Sequence, residues 1–203
     1  LSYFNCLIVD EYGSDMESEF SKYADRLTSL LMNRQWDDVE RFANSLLKIW
    51  QKKSHLFICG NGGSAANAIH LANDFLYGIG SGVVPGMNVE ALTANSSVLT
   101  CLANDIDYES IFSAQIKVKG DPLDLLLVLS GSGNSPNVIA ALEVAKELGM
   151  ETWAILGFSG GKCANLADNV IHLRVEDMQL AEDFQLIVGH MCMQWLALDK
   201  SVS

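Results

Sequence analysis

The sequence predicts an α/β fold: a five-stranded parallel sheet flanked by helices and preceded by an N-terminal helical hairpin. Three observations carry that reading. Five short runs (His55–Cys59, Val89–Leu92, Leu125–Leu129, Thr152–Leu156 and Val170–Leu173) are near-continuously apolar, as strands buried on both faces are. Gly/Ser/Asn clusters and then helical stretches separate them, which is how parallel strands are joined. Before Lys53 the apolar residues instead recur at spacings of three and four, the period of a helix.

Residues 1–13 show no clear period. From Asp15 a first helix sets Phe20, Tyr23, Leu27, Leu30 and Leu31 on one face, and Asn33-Arg34-Gln35 forms a joint. The second helix aligns Trp36, Val39, Phe42, Leu46, Leu47 and Trp50. Its Asp37 and Asp38 suit a first turn, where carboxylates meet the positive end of the helix dipole. This tail and hairpin (1–53) is expected to form one unit with the domain that follows (54–203). The first strand ends at Cys59, Gly60, Gly62 and Gly63 permit a tight turn, and Ser64 is placed as N-cap of a helix over Ala65–Tyr77. A second such unit has Ser130, Ser132 and Ser135 around Gly131 and Gly133. Ser135-Pro136 there reads as N-cap and first helical residue, and Gly149 as the helix stop.

With 49% apolar and 19% charged residues, the 203-residue chain can bury a sizeable core, which excludes a disordered tail or a charged coiled coil. Asp and Glu outnumber Lys and Arg by 25 to 13, a formal charge of −12, which argues against nucleic acid or an anionic membrane as partner. A small anion is still admissible, because backbone N–H groups at a helix start bind phosphate without net positive charge. Five cysteines with no CxxC pair make neither a disulfide framework nor a thiolate zinc site, and indicate a reducing compartment. No uncharged stretch is free of Gly, Ser and Asn over a bilayer's width, and no secretory signal opens the chain. The expectation is a cytoplasmic protein; the first residue is Leu1 rather than Met, which leaves its natural start open.

The two Gly/Ser loops bring free N–H groups, hydroxyls and two helix dipoles to the carboxyl ends of parallel strands, the ingredients of a phosphate cradle. Either loop alone is equally a simple strand-to-helix turn. Neither contains G-x-x-x-x-G-K-[ST], which excludes a P-loop. Gly60-x-Gly62-x-x-Ala65 matches the relaxed dinucleotide fingerprint, but the second strand runs into Thr93-Ala94-Asn95-Ser96-Ser97 with no carboxylate for a ribose.

At CGNGGSAANAIHLANDF, LSGSGNSPNVIAALEVAKELGM, GFSGGK and the final VGHMCMQWL, the chain resembles the sugar isomerase (SIS) domain family, and within it the phosphoheptose isomerases. These interconvert sedoheptulose 7-phosphate and an aldoheptose 7-phosphate. The resemblance implies a homotetramer with sites between subunits. Phosphate and sugar would be held by Asn61, Gly62, Gly63, Ser64, Ser130, Gly131, Ser132 and Ser135, with Gln179 close to the sugar. It also implies a divalent metal, usually zinc, on His70, Asp74, Glu182 and His190, with Asp74 and His190 as the proton-transferring pair. Where Asp74 stands the family usually has Glu, and where Glu182 stands it has Gln. An acidic residue is usual at the position of Gln179, and a Thr at that of Gly131.

The residues support part of this unaided. His70 and Asp74, four apart on a helix, share one face and can grip one ion or one substrate; an ordinary surface pair reads the same way. Glu182 and His190 are separated by about 12 Å of rise and about 80° of rotation on a straight helix. They meet one metal only if both lean inward, and otherwise serve different sites. His190 lies among Ile187, Val188, Met191 and Met193, as a core or interface histidine would. Two imidazoles with carboxylates favour Zn²⁺ over Mg²⁺. The reading is an aldose–ketose isomerase acting through an enediol; the alternative is a non-catalytic phosphosugar-binding or scaffold tetramer.

Overall fold

The computed structural model describes residues 4–80 and 84–198, with side chains described from residue 16 onward. Residues 1–3 of the aperiodic start lie outside the described residues. From Phe4 the backbone is already helical, and α1 runs Phe4–Met32. No proline and only Gly13 interrupt its first half, so helical bonding continues through a stretch without an amphipathic pattern.

The chain divides into two compact units, residues 1–36 and 37–203. The first contains α1. The second opens with α2 (Asp37–Lys52), so the second N-terminal helix belongs with the sheet. Most of its predicted stripe packs: Val39, Phe42, Leu46 and Trp50 are buried, Ile49 joins them, Trp36 and Leu47 are only half-buried, and the Phe42 ring meets Trp153 at 5.1 Å. At the edges of this contact Ser45 donates to Glu151 Oε1 (2.6 Å) and Trp50 Nε1 to the Pro85 carbonyl (3.0 Å).

All five predicted strands form: β1 (His55–Gly60), β2 (Asn88–Ala91), β3 (Leu125–Ser130), β4 (Glu151–Leu156) and β5 (Asn169–His172). They pair in parallel in the order β2-β1-β3-β4-β5. β3 is central and buried along its whole length, which is why it reads LLLVLS with no alternation. One face of the sheet (Phe57, Cys59, Leu126, Val128, Ala154 and Leu156) packs with α5 (Ser110–Lys119), α6 (Pro136–Glu147) and α7 (Cys163–Leu166). The other is covered by α2, α3 (Gly63–Asn73) and α8 (Met178–Leu198). A further helix, α4 (Ser96–Asp105), is capped by Asn95, whose side chain accepts from Val98 N. Among the described residues no helix is long and apolar enough to cross a membrane.

Two local departures matter for the site. The helix after β1 starts at Gly63, with Gly62 as N-cap at φ 58°, so Ser64 lies inside the first turn rather than capping it. The helix predicted to reach Tyr77 instead widens into one π turn over Asp74–Gly78. There the Asp74 carbonyl accepts from Ile79 N (3.2 Å), while the Phe75 carbonyl is drawn off to Met87 N (2.9 Å).

Candidate active site

In an open parallel sheet, ligands bind beyond the carboxyl ends of the strands where the strand order reverses. In the order 2-1-3-4-5 that point lies between β1 and β3, and the two Gly/Ser loops leave those two strands. They enclose a cleft of about 250 Å³ lined by Asn61, Gly62, Gly63, Ser64, Leu129, Ser130, Gly131, Ser132, Ser135, Met178 and Glu182. Eight of the nine residues expected to bind substrate are therefore brought together. Gln179 is exposed in the first turn of α8 and does not line the cleft.

The donors differ in availability. Among the described residues, the backbone N–H groups of Gly62, Gly63 and Ser64 meet no protein acceptor, as the first amides of a helix do not. Ser135 caps α6 by position only; its hydroxyl makes no capping bond and stays available. Ser130 Oγ accepts from Gly133 N (3.0 Å) and Ser132 Oγ from Asn134 N (3.3 Å), so both hydroxyls shape their own loop while keeping a hydrogen to donate. A Cβ on residue 131 would meet the sulfur of the flexible, partly exposed Met178 side chain, which would have to move aside for the threonine the family carries there.

Asn61 is more heavily committed than the sequence suggests. Its Nδ2 donates to Asn137 Oδ1 (2.8 Å), and its Oδ1 accepts from Asn137 Nδ2 (2.9 Å) and Tyr108 OH (3.0 Å). This amide pair ties the loop after β1 to the start of α6 across the strand-order reversal. At most one N–H of Asn61 remains for a ligand.

The second group lies further along α3. His70 Nε2 and His190 Nε2 are 2.9 Å apart, and Asp74 Oδ2 lies 3.4 Å from the first and 3.3 Å from the second. α8 runs beside α3 so that Gln185 faces Ser64 and His190 faces His70. The helices come this close because residue 189 is glycine: a Cβ there would overlap Leu71 Cδ2.

Two Nε2 atoms at 2.9 Å cannot both carry a proton on that nitrogen. They share one hydrogen or one cation. Ligands of a tetrahedral ion at zinc–nitrogen bond lengths stand about 3.3 Å apart. The two edges to Asp74 match that spacing, and the histidine–histidine edge is a few tenths of an ångström shorter. Two imidazoles and a carboxylate suit a zinc-like ion and leave coordination positions open.

Glu182 stands apart from these three. Eight residues of helix carry it to the other end of the groove, where its carboxylate lies against Gly63 at the mouth of the cleft. His70, Asp74 and His190 share one locus, and Glu182 shares the other with the serines.

Three residues of this region escaped the sequence reading: Gln185 and Asn67, which bond to each other and toward Ser64, and Asn137. Gln185 carried a signal, being a polar residue beside Phe184, Ile187 and Val188 on an otherwise apolar helix. The three buried thiols offer no nucleophile: burial raises Cys59 strongly, Cys163 to about 11 and Cys192 to about 12. A larger hollow of about 460 Å³ beside β2 holds one carboxylate, Glu90, which Lys119 Nζ already engages (2.5 Å).

Residues 19–157 match the SIS domain family. A phosphoheptose isomerase of Aneurinibacillus thermoaerophilus is 36% identical over 152 residues, covering 75% of this chain and 76% of that one. Another, of Chlorobaculum parvum, is 37% identical over 176 residues, 85% of this chain and 83% of that one. The chain belongs to the phosphoheptose isomerase family of SIS domain proteins. The solved phosphoheptose isomerase of Neisseria gonorrhoeae has a TM-score of 0.78 at 27% identity, covering 93% of this chain and 98% of that one. That of Francisella tularensis has a TM-score of 0.86 at 22% identity, covering 92% and 99%, and shows the shared fold.

Proposed function

We propose that the protein is an aldose–ketose isomerase of a phosphorylated sugar, with sedoheptulose 7-phosphate and its aldoheptose isomer as the substrate pair. The observation that carries this reading is the placement of two loci on one helix. Ser64 and the free N–H groups stand at the start of α3, and His70 and Asp74 follow about 9 and 15 Å along its axis. A phosphate anchored at the first locus lays its sugar chain toward the second.

The cradle donors hold the phosphate and fix the register of the chain. Isomerisation needs a proton taken from the carbon beside the carbonyl and returned to the neighbouring carbon, with a second proton moved between the two oxygens. In this reading Asp74 takes the carbon-bound proton, and His190 carries the oxygen-bound one when its Nε2 holds no cation. A cation held by His70, Asp74 and His190 would supply Lewis-acid polarisation of the carbonyl. A nitrogen that ligates cannot also carry a proton, so with Nε2 of His190 engaged, proton transfer falls to the remaining oxygen of Asp74.

Self-association into a homotetramer belongs to the same proposal. His70 and His190 side chains are 50% and 41% exposed in the single chain, open for a catalytic cluster. Exposed Ile69, Leu76, Tyr77, Met191 and Trp195 flank them on the same two helices.

The test is turnover of sedoheptulose 7-phosphate, followed together with deuterium uptake at C1 or C2 in heavy water, before and after chelation and zinc return. Exchange that depends on Asp74 supports the isomerase. Tight sugar phosphate binding without any exchange would leave a binding scaffold instead.

A further inference from the structure

A buried hydrogen-bond chain links α8 to the phosphate cradle, and its direction can be derived. Glu182 contributes a backbone carbonyl, which can only accept, and Asn67 Nδ2 donates to it at 3.0 Å. That orients the Asn67 amide. The same nitrogen donates to Gln185 Oε1 at 2.9 Å, which orients Gln185, so Gln185 Nε2 must donate to Ser64 Oγ at 3.0 Å. Each link is buried: Gln185 is 1% exposed, Ser64 3% and Asn67 9%.

A serine hydroxyl has one hydrogen to give and two lone pairs. Ser64 spends a lone pair on Gln185, and among the described residues its own hydrogen meets no protein acceptor. A helical serine commonly turns that hydrogen back onto the carbonyl four residues earlier. Here the Gln185 bond holds the oxygen, and the hydrogen is left for the cleft that Ser64 lines. An anion needs a donor pointed at it before it arrives, because a lone pair in that direction repels it and reorientation costs binding energy.

We propose that Gln185 is a positioning residue: through a one-way chain from the Glu182 carbonyl, it makes Ser64 an obligate donor to the substrate phosphate. The inference rests on the cleft being the phosphate site.

The experiment is a double-mutant cycle read by calorimetric titration with inorganic phosphate. Gln185→Glu keeps size and the Asn67 bond but replaces the Nε2 donor facing Ser64 with a carboxylate oxygen, an acceptor that captures the Ser64 hydrogen. Gln185→Met removes the donor without adding charge. Each change should weaken phosphate binding about five- to tenfold when residue 64 is serine, and clearly less in a Ser64→Ala background. With sugar phosphate, KM should rise by a larger factor than kcat falls, since an interaction present in ground and transition states alike is lost. An equal loss of affinity in both backgrounds would overturn the relay, because the effect would then not pass through Ser64. Loss in Ser64→Ala with none in either Gln185 variant would overturn the relay and leave the cradle standing. Phosphate binding that is indifferent to Ser64 itself would remove both.

Discussion

His70 and His190 are 120 positions apart in the chain, yet their Nε2 atoms lie 2.9 Å from each other, with Asp74 Oδ2 beside both. The contact depends on two parallel-running helices closing over Gly189, and on Asp74 following His70 by one helical turn. Asp74 reaches the cluster although it is one methylene shorter than the family's usual glutamate.

Because Asp74 already sits 3.3–3.4 Å from both imidazoles, lengthening it carries the carboxylate past its working position. Asp74→Glu is expected to lower turnover by up to about 100-fold, the cost of misplacing a reacting group by about 1 Å. Asp74→Asn removes the base while keeping the shape, and should abolish solvent deuterium incorporation into the sugar. Exchange that persists in Asp74→Asn would assign the proton transfer elsewhere.

Glu182 points a carboxylate at a cleft that otherwise offers donors. Like charges repel, so Glu182→Gln should bind inorganic phosphate about tenfold more tightly, a change of about 1.4 kcal/mol. Zinc affinity should change little, since Glu182 is not in the His70–Asp74–His190 cluster. Calorimetry with phosphate and with zinc measures both. A large loss of zinc affinity would make Glu182 a ligand, as the family resemblance implies.

Gly189→Ala puts a methyl group into Leu71. Overpacking of this kind costs about 1–3 kcal/mol, or several degrees in Tm for a chain of this size. Spreading α3 from α8 should also separate His190 from His70 and weaken zinc binding. Unchanged Tm and zinc affinity together would show that the helix spacing is not set there.

His55 opens β1 with its ring stacked on Phe57 at 4.2 Å and its Nε2 buried without a partner. Burial lowers its pKa below 6.5; the carboxylates of Asp124 and Glu90 oppose that shift, and Lys119 adds to it. The folded protein therefore holds His55 neutral at a pH where the unfolded chain already binds a proton. The stability this contributes is full above about pH 6.5 and is lost as pH falls from there through the folded-state pKa. Thermal melts from pH 7.5 to 5 should show Tm declining, and His55→Gln should decline less. Parallel curves for the two proteins would remove His55 as the cause.

The sequence by itself determined the layers of the fold and half of the chemistry. Local rules suffice for both: unbroken apolar runs such as LLLVLS become doubly covered parallel strands, and Gly/Ser/Asn turns after two of them become helix starts with free amides. His70 and Asp74 were legible together because a helix puts residues four apart on one face. Everything that depends on which helix lies beside which was decided by the tertiary structure. The eight-residue spacing of Glu182 and His190 left open whether they share a site. The pairing of α8 with α3 separates them, sending His190 to the histidine cluster and Glu182 to the phosphate loops. The same pairing gives Gln185 its partner, and nothing local could have done so. A buried amide is defined by the groups that satisfy it, and those groups come from another helix more than a hundred residues away.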